Sequence, residues 1–338
     1  MVGADAMRRV TPLLSLMLGG CVGIQSPLLP GGREADARFS LFTLMMIVCG
    51  LIYALVMAGL GWTLWRIVRR RTVIAADPGL PNDSSLRRAV VVAAAVIVVS
   101  LTVLIVGSFI ADRSLFAARG REAVLVRVTG HQWWWRIQYL DPRTGRWIET
   151  ANELHLPTGR TTRVSLGAAD VIHSFWVPNV AGKLDMIPGR RNTLDLTPHR
   201  EGWFRGQCSE FCGTQHAHMA FDVKVESPAA FDAWLAAQAR PAAAAGDALA
   251  VRGAAVFAGP CATCHVVRGL PGGGRAGPDL THVAGRRSIA AGTLGMTRGN
   301  LQGWITQPQA LKPGTSMPAV PLSPADANAV SHFLASLR

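Results

Sequence analysis

The spacing of hydrophobic residues divides the chain into parts with different periodicity. Two apolar runs, residues 41–64 and 89–111, contain no charged residue. Each run exceeds the roughly 20 residues that an α-helix needs to cross a bilayer. The pattern therefore predicts a two-helix transmembrane anchor over residues 39–115.

After the second run the pattern changes to short stretches rich in β-branched residues, such as 124–128 and 161–166, separated by Gly, Pro and Asp turns. This pattern predicts an all-β sandwich over residues 120–232. An Ala-rich stretch containing a proline predicts a linker over residues 233–247. The remaining residues, 248–338, combine helical stretches with Gly/Pro-rich loops.

The N-terminus has the features of a secretory signal. Basic residues at 8–9 precede a short apolar stretch and the sequence Leu-Gly-Gly-Cys. This pattern predicts a lipoprotein-like signal peptide over residues 1–20, with Cys21 as the lipidated first residue. An uncleaved N-terminus is the alternative.

Composition supports a membrane protein, since 49% of the residues are hydrophobic and 16% are charged. The net charge of +13 is spread over the chain, which argues against a nucleic-acid-binding surface. Six arginines flank the apolar runs: Arg66, Arg69, Arg70, Arg71, Arg87 and Arg88. The positive-inside rule then predicts a multi-pass protein of a bacterial inner membrane, with residues beyond 111 on the periplasmic side.

A cluster of soft ligands lies near the end of the predicted sandwich. Within twelve residues the chain offers two thiolates, an imidazole and a thioether, and His173 lies further upstream. Such ligands select copper or zinc, and a second thiolate goes beyond the single cysteine of a mononuclear blue-copper site. Two sulfurs can bridge two copper ions. A disulfide or a zinc site are the alternatives. The clustered residues are Cys208, Cys212, His216 and Met219, while His218 in the same loop is expected at the surface or beside the ligands.

A second motif, Cys261-Ala-Thr-Cys264-His265, has the spacing for two thioether bonds to a haem and an axial histidine. Met317 in a Pro/Gly loop can supply the second axial ligand, and Met296 competes for that role. The alternative of a zinc half-site lacks a second Cys/His pair at ribbon spacing.

Four blocks resemble cytochrome c oxidase subunit II, in the family's order. They are residues 130–135, 171–178, 183–190 and 206–213. The end of the chain resembles a class I cytochrome c in having a ligand methionine just before a final helix. The resemblance implies a multidomain membrane protein with two transmembrane helices, an all-β cupredoxin sandwich that binds the two-copper centre CuA, and an all-α class I cytochrome c domain.

The resemblance also implies the role of each residue. Two coppers would be bridged by the two cysteines and capped by the two histidines, with a weak thioether ligand and a backbone carbonyl completing the set. These ligands are His173, Cys208, Glu210, Cys212, His216 and Met219. Asp185 and Glu210 would contribute carboxylates to a magnesium site at the boundary with subunit I. Trp133 would be the surface aromatic at which electrons reach CuA.

The function implied is that of subunit II of a caa-type oxidase, in which electrons pass from haem c to CuA and then to the haem a/CuB site of subunit I, where oxygen is reduced to water. Subunits I and III would be partners, and cytochrome c or a quinol–cytochrome c reductase the donor. Two alternatives remain: the CuA-containing subunit of a nitric oxide reductase, and a free lipoprotein that carries electrons or delivers copper.

Overall fold

The computed structural model describes residues 23–69, 83–117 and 123–338. Contacts divide the chain into two units, of which Asp36–Arg119 is one and the residues on either side of it form the other. The predicted signal peptide, Cys21, and two of the loop arginines, Arg70 and Arg71, lie outside the described residues.

The first unit consists of two long helices, α1 (Arg33–Arg69) and α2 (Asp83–Ala117), each long and apolar enough to cross a membrane. Their apolar side chains face outward, and Leu55 and Ile105 are each 68% exposed. Apolar exposure on this scale suits a lipid environment. The prediction of two apolar helices is confirmed. The first helix starts at Arg33, before the predicted residue 39. Its first turn belongs to the second unit, where the amide of Ala35 donates to the carbonyl of Val180.

A sandwich of two five-stranded sheets forms much of the second unit. One sheet has the order β3-β2-β1-β5-β8 and the other β4-β10-β9-β6-β7. Their side chains alternate between the core and the outside, as in β1, which pairs antiparallel to β2 and parallel to β5. The predicted sandwich is confirmed. The strands are β1 (Val124–His131), β2 (Trp134–Leu140), β3 (Trp147–Ala151), β4 (Glu153–Pro157), β5 (Thr162–Ala168), β6 (His173–Trp176), β7 (Leu184–Met186), β8 (Asn192–Leu196), β9 (Gly202–Cys208) and β10 (Ala220–Glu226).

Aromatic packing fills the space between the sheets. The rings of Trp135, Phe175 and Phe221 are fully buried, and their centroids lie 5.0–6.1 Å apart. Rings of this size bury a large apolar area and dominate the energetics of a core. Because Trp135 and Phe175 lie on opposite sheets, this cluster fixes the position of β6, the strand that begins at His173.

A buried histidine pairs with two carboxylates at the edge of the sandwich. The imidazole of His155 is stacked on Trp234 at 3.9 Å, with Nδ1 2.7 Å from Oε1 of Glu226 and Nε2 3.0 Å from Oε1 of Glu153. Burial alone would lower the pKa of His155, but the hydrogen bonds to the two carboxylates outweigh it and raise that pKa. The imidazolium is therefore the form that this environment favours.

We expect this arrangement to make stability pH-dependent. A group whose pKa is raised by folding contributes its full stabilisation below the unfolded value, about 6.5, and loses it as pH rises through the folded value. The melting temperature of the wild type should therefore fall as pH rises above about 6.5. His155→Gln should be destabilised by about 3 kcal/mol near neutral pH, because the buried carboxylates lose their cation. Thermal unfolding of both proteins across this pH range tests the prediction, which fails if the two slopes are equal.

Helix α3 (Pro228–Gln238) follows the sandwich. The hydroxyl of Ser227 accepts a hydrogen bond from the amide of Ala230, and Pro228 occupies the first turn. Both features stabilise the N-terminus of the helix. Phe231 and Leu235 are buried in the sandwich core. The predicted linker start at residue 233 thus falls inside a packed helix, and the segment without regular secondary structure begins only after this helix has ended.

The C-terminal part is α-helical, with a single two-stranded ladder of β11 (Ser288–Ile289) and β12 (Leu294–Gly295). Helices α4 (Ala248–Val256) and α7 (Pro324–Ser336) cross closely, and only a glycine fits at their contact: a Cβ at Gly253 would lie 2.1 Å from the carbonyl oxygen of Ala329. Phe257 and Phe333 fill the core beside this crossing. The prediction of an all-α domain is confirmed. The helices are α4 (Ala248–Val256), α5 (Arg298–Thr306), α6 (Pro308–Leu311) and α7 (Pro324–Ser336).

Candidate metal centre and haem cleft

Three ends of strands bring the predicted copper ligands together. His173 is the first residue of β6, Cys208 is the last residue of β9, and Met219 directly precedes β10. Strands β6 and β9 are antiparallel neighbours, with Phe175 opposite Cys208. The loop between β9 and β10 carries Cys212 back toward the same point, so residues distant in sequence meet at one edge of the sandwich.

The two sulfurs lie at the middle of this cluster. The Sγ atoms of Cys208 and Cys212 are 3.7 Å apart, which is too far for a disulfide bond of about 2.05 Å. Both thiols are free and buried. The other predicted ligand atoms surround them at 3.3–3.9 Å: Nδ1 of His173, the carbonyl oxygen of Glu210, Nδ1 of His216 and Sδ of Met219. The set has the soft sulfur and imidazole donors that suit copper.

Hydrogen bonds prepare these ligands for a metal. Nε2 of His173 lies 2.8 Å from the carboxylate of Asp170, which can only accept, so Nε2 carries the proton and Nδ1 is free on the sulfur side. The hydrogen bond between the two thiols lowers the pKa of Cys208 and raises the pKa of Cys212.

The remaining predictions for this region concern exposed groups. His218 is exposed and contacts the side-chain oxygen of Gln215, as expected for a surface residue. The carboxylates predicted to bind magnesium, on Asp185 and Glu210, are also exposed. They lie on neighbouring segments, because Ser174 pairs with Asp185 and its carbonyl accepts from the amide of Ser209. The magnesium site stays a prediction.

A second site lies in the helical domain. A cleft with about 1360 Å³ of empty space, open solvent at its mouth included, is lined by all four predicted haem ligands. Met296 does not line this cleft and packs at the domain core instead. The observation favours Met317 over Met296. The four lining residues are Cys261, Cys264, His265 and Met317.

The chemistry of the cleft fits a haem. Nδ1 of His265 lies 2.9 Å from the carbonyl of Pro278, so it must donate, and Nε2 keeps its lone pair for iron. Burial lowers the pKa of His265, which favours the neutral ligand form. Nε of the buried Arg286, another lining residue, has no hydrogen-bond partner among the described residues, and a haem carboxylate could pair with it. Gly277 leaves room beside the ring, since a Cβ there would lie 2.5 Å from Cε1 of His265.

Trp133 connects the two sites. The sequence predicts an exposed aromatic side chain, but Trp133 is only 8% exposed. That prediction was wrong because the helical domain covers the ring: a Cβ at Gly314 would lie 3.6 Å from the indole. On its other side the indole contacts the copper-ligand loop, where a Cβ at Gly213 would lie 3.0 Å away and Nε1 donates to the carbonyl of Cys212 at 2.9 Å. The indole also lines the haem cleft.

Two residues were missed from sequence. Asp170 precedes His173 by three residues, a spacing from which its carboxylate reaches the imidazole of that ligand. Lys312 is one of only three lysines in the chain, against 31 arginines, and it stands directly before the Pro-Gly of the Met317 loop. That rare residue choice is the signal that could have drawn attention to it.

Comparison with known proteins gives a consistent result. Residues 140–226 match the family described as cytochrome c oxidase subunit II, periplasmic domain, and residues 250–338 match the cytochrome c family. Cytochrome c oxidase subunit 2 of Alkalihalophilus pseudofirmus is 33% identical over 98% of this chain and 97% of its own length. The Bacillus subtilis protein of the same description is 30% identical over 96% of each chain.

Among solved structures, the periplasmic domain of subunit II of the cytochrome oxidase of Bradyrhizobium japonicum is 32% identical. The aligned region covers 35% of this chain and 95% of the solved domain, with a TM-score of 0.33. The two bacterial relatives, unlike this isolated domain, match the chain almost from end to end.

Proposed function

The chain belongs to the cytochrome c oxidase subunit II family, and from that premise we propose that it passes electrons from a haem c on residues 248–338 to a two-copper centre on residues 120–232. As a member of the family it is part of a haem–copper oxidase, and its two domain types imply haem c and copper. The observation that carries the proposal is Trp133, which contacts the copper-ligand loop and lines the haem cleft.

The proposed copper ligands share two metal ions. Cys208 and Cys212 would bridge the coppers, and the imidazoles of His173 and His216 would cap them. Met219 and the carbonyl of Glu210 would be the weaker ligands. Such a bridged pair spreads one charge over two metals, so that bond lengths change little when an electron arrives.

The proposed haem ligands act on the other side of Trp133. Cys261 and Cys264 would form the thioether bonds, and His265 with Met317 would be axial. Gln309 supports the methionine loop, because its side chain donates to the carbonyls of Thr315 and Met317 and accepts from the amide of Gly314. The loop is thus held in one shape beside the cleft.

Asp170 should tune the copper centre through His173. Asp170→Asn removes the charged acceptor of the Nε2 proton, so we expect copper affinity to fall by about 10- to 100-fold. Competition with a copper chelator measures this affinity. Asp232→Asn is the control, because Asp232 makes an exposed ion pair with Arg160 on the same domain. Equal copper affinity in both variants would contradict the role of Asp170.

The complex that we propose places this chain in a bacterial inner membrane. The arginines beside the apolar helices favour a cytoplasmic loop and a periplasmic location for both metal domains. Subunit I would accept electrons at its haem a/CuB site and reduce oxygen to water, with subunit III as a further partner. Cytochrome c or a quinol–cytochrome c reductase would reduce the haem c, and Asp185 with Glu210 would hold magnesium toward subunit I.

Spectroscopy and turnover on one sample test this proposal. Optical and paramagnetic-resonance spectra of the purified membrane complex should show a mixed-valence two-copper signal with c- and a-type haem bands, and the sample should consume oxygen. A copper signal with b-type haem and nitric oxide consumption would assign the chain to a reductase. Absence of the two-copper signal would reject the proposal.

A further inference from the structure

The haem-bearing domain is docked on the sandwich through direct contacts. The amide of Ala220 donates to the carbonyl of Ala291 at 3.0 Å, and the amide of Arg287 donates to the Glu153 carboxylate at 2.6 Å. Arg287 also pairs with Asp222. A domain held only by a flexible linker would leave these groups in water. The contacts therefore indicate one preferred position for the helical domain.

Lys312 lies at the centre of this interface. Its side chain is 2% exposed, although lysine is rarely buried. Nζ donates to three carbonyl oxygens: Trp133 at 2.8 Å and His218 at 2.8 Å in the sandwich domain, and Ala290 at 3.0 Å in the helical domain. An ammonium group has three N–H donors, so all of them are satisfied.

Two of the three carbonyls belong to segments that carry the proposed electron-transfer groups. One is the backbone of Trp133 itself, and another belongs to the residue directly before Met219. Lys312 in turn starts the loop that carries Met317, and the carbonyl of the next residue, Pro313, accepts from Nε2 of Gln215 at 2.8 Å. One side chain thus ties the copper-ligand loop, Trp133 and the haem-ligand loop together.

Energetics favour a positioning role over a general contribution to stability. Burying an ammonium is costly even when it is hydrogen-bonded, and an apolar side chain of similar volume would fill the same space. Lysine at this point supplies what an apolar residue cannot: three directional bonds that end on two domains. Such bonds fix geometry, because each carbonyl would lose its donor if the domains moved apart.

We propose that Lys312 is the positioning residue for electron transfer between the domains, holding the Met317 loop against Trp133 so that transfer needs no domain movement. The proposal rests on the proposed function for its consequence, whereas the docking itself can be measured independently. The indole between Gly213 and Gly314 is the contact that Lys312 would preserve.

The test compares Lys312→Met with Lys183→Met in the full-length protein. Methionine keeps most of the volume and removes the charge and the donors, and Lys183 is an exposed lysine of the sandwich domain. Amide hydrogen exchange should accelerate in Lys312→Met at Ala220 and Arg287, whose amides bond across the interface. It should be unchanged there in Lys183→Met.

Electron transfer gives the second readout. After rapid photoreduction of the haem, the haem-to-copper rate should fall about tenfold in Lys312→Met, since lost bonds to a charged donor lower the docked population by that factor. The remaining rate should fall further as glycerol raises viscosity, whereas the wild-type rate should not. Both reduction potentials and the two-copper signal should stay unchanged.

Either of two results would overturn the proposal. One is a Lys312→Met variant that matches the wild type in exchange and in rate. The other is loss of the copper signal with unchanged exchange at the interface, which would assign Lys312 to the metal site instead. If the wild type itself lacks the two-copper signal, the proposed function fails, and hydrogen exchange still decides whether Lys312 holds the domains together.

Discussion

Cys212→Ser is expected to abolish the two-copper signal and to reduce oxygen uptake by about two orders of magnitude or more, because a serine hydroxyl is a poor substitute for a bridging thiolate. Cys212 lies at the middle of the cluster, with its sulfur 3.7 Å from Cys208, 3.5 Å from Nδ1 of His216 and 3.8 Å from Sδ of Met219. Removing this sulfur therefore takes away one of the two proposed bridging thiolates and leaves only Cys208 between the metal ions. Copper content, paramagnetic resonance and oxygen uptake measure the loss.

A matched control is available in the same chain. Cys49 is a free, exposed cysteine in the apolar helix α1, and Cys49→Ser makes the same chemical change at a residue outside both predicted ligand sets. That variant should keep the copper signal and the oxygen uptake. The absorption spectrum of the covalently bound haem should be unchanged in both variants, because the haem motif belongs to the C-terminal helical domain, which has its own core. A normal two-copper signal in Cys212→Ser would reject the bridging role.

Local sequence was sufficient for features that depend on short-range patterns. Cys208, Cys212, His216 and Met219 lie within twelve residues, so a strand end and one loop place them together without further information. The apolar runs and the alternating strands follow from burial preferences that act residue by residue. Identifying His173 needed the resemblance to a family, because only the pairing of β6 with β9 brings it to the cysteines.

Features that depend on contacts between domains could not be predicted. An aromatic run such as residues 133–135 gives no sign of which ring a neighbouring domain will cover, and Trp133 proved to be buried. The linker boundary failed for a similar reason, since Leu235 joins the sandwich core although an alanine-rich stretch begins directly after it. No residue pattern around Lys312 in the sequence indicates that its side chain is buried. Its environment is created by carbonyls 179, 94 and 22 residues away in sequence.

Replacing the proposed second axial ligand of the haem is the other change for which we expect a large effect. Met317→Leu should lower the reduction potential of the haem on the order of 100 mV or more, because the thioether favours the reduced iron and axial ligands control potential over a wide range. Leucine has nearly the same volume, so the cleft should keep its shape. A redox titration of the haem c absorption bands measures the shift.

Met296→Leu provides the comparison that separates ligation from packing. Met296 packs at the domain core near the start of α5 and does not line the haem cleft, so its replacement should leave the potential unchanged. A haem of lowered potential would be reduced less readily by its own electron donor, although its transfer to the copper pair would become more favourable. Met317→Leu should therefore also slow donor-driven oxygen uptake with the copper signal intact. If instead Met296→Leu shifts the potential and Met317→Leu does not, the axial ligand is Met296, and the loop that Lys312 holds against Trp133 has no part in binding the iron.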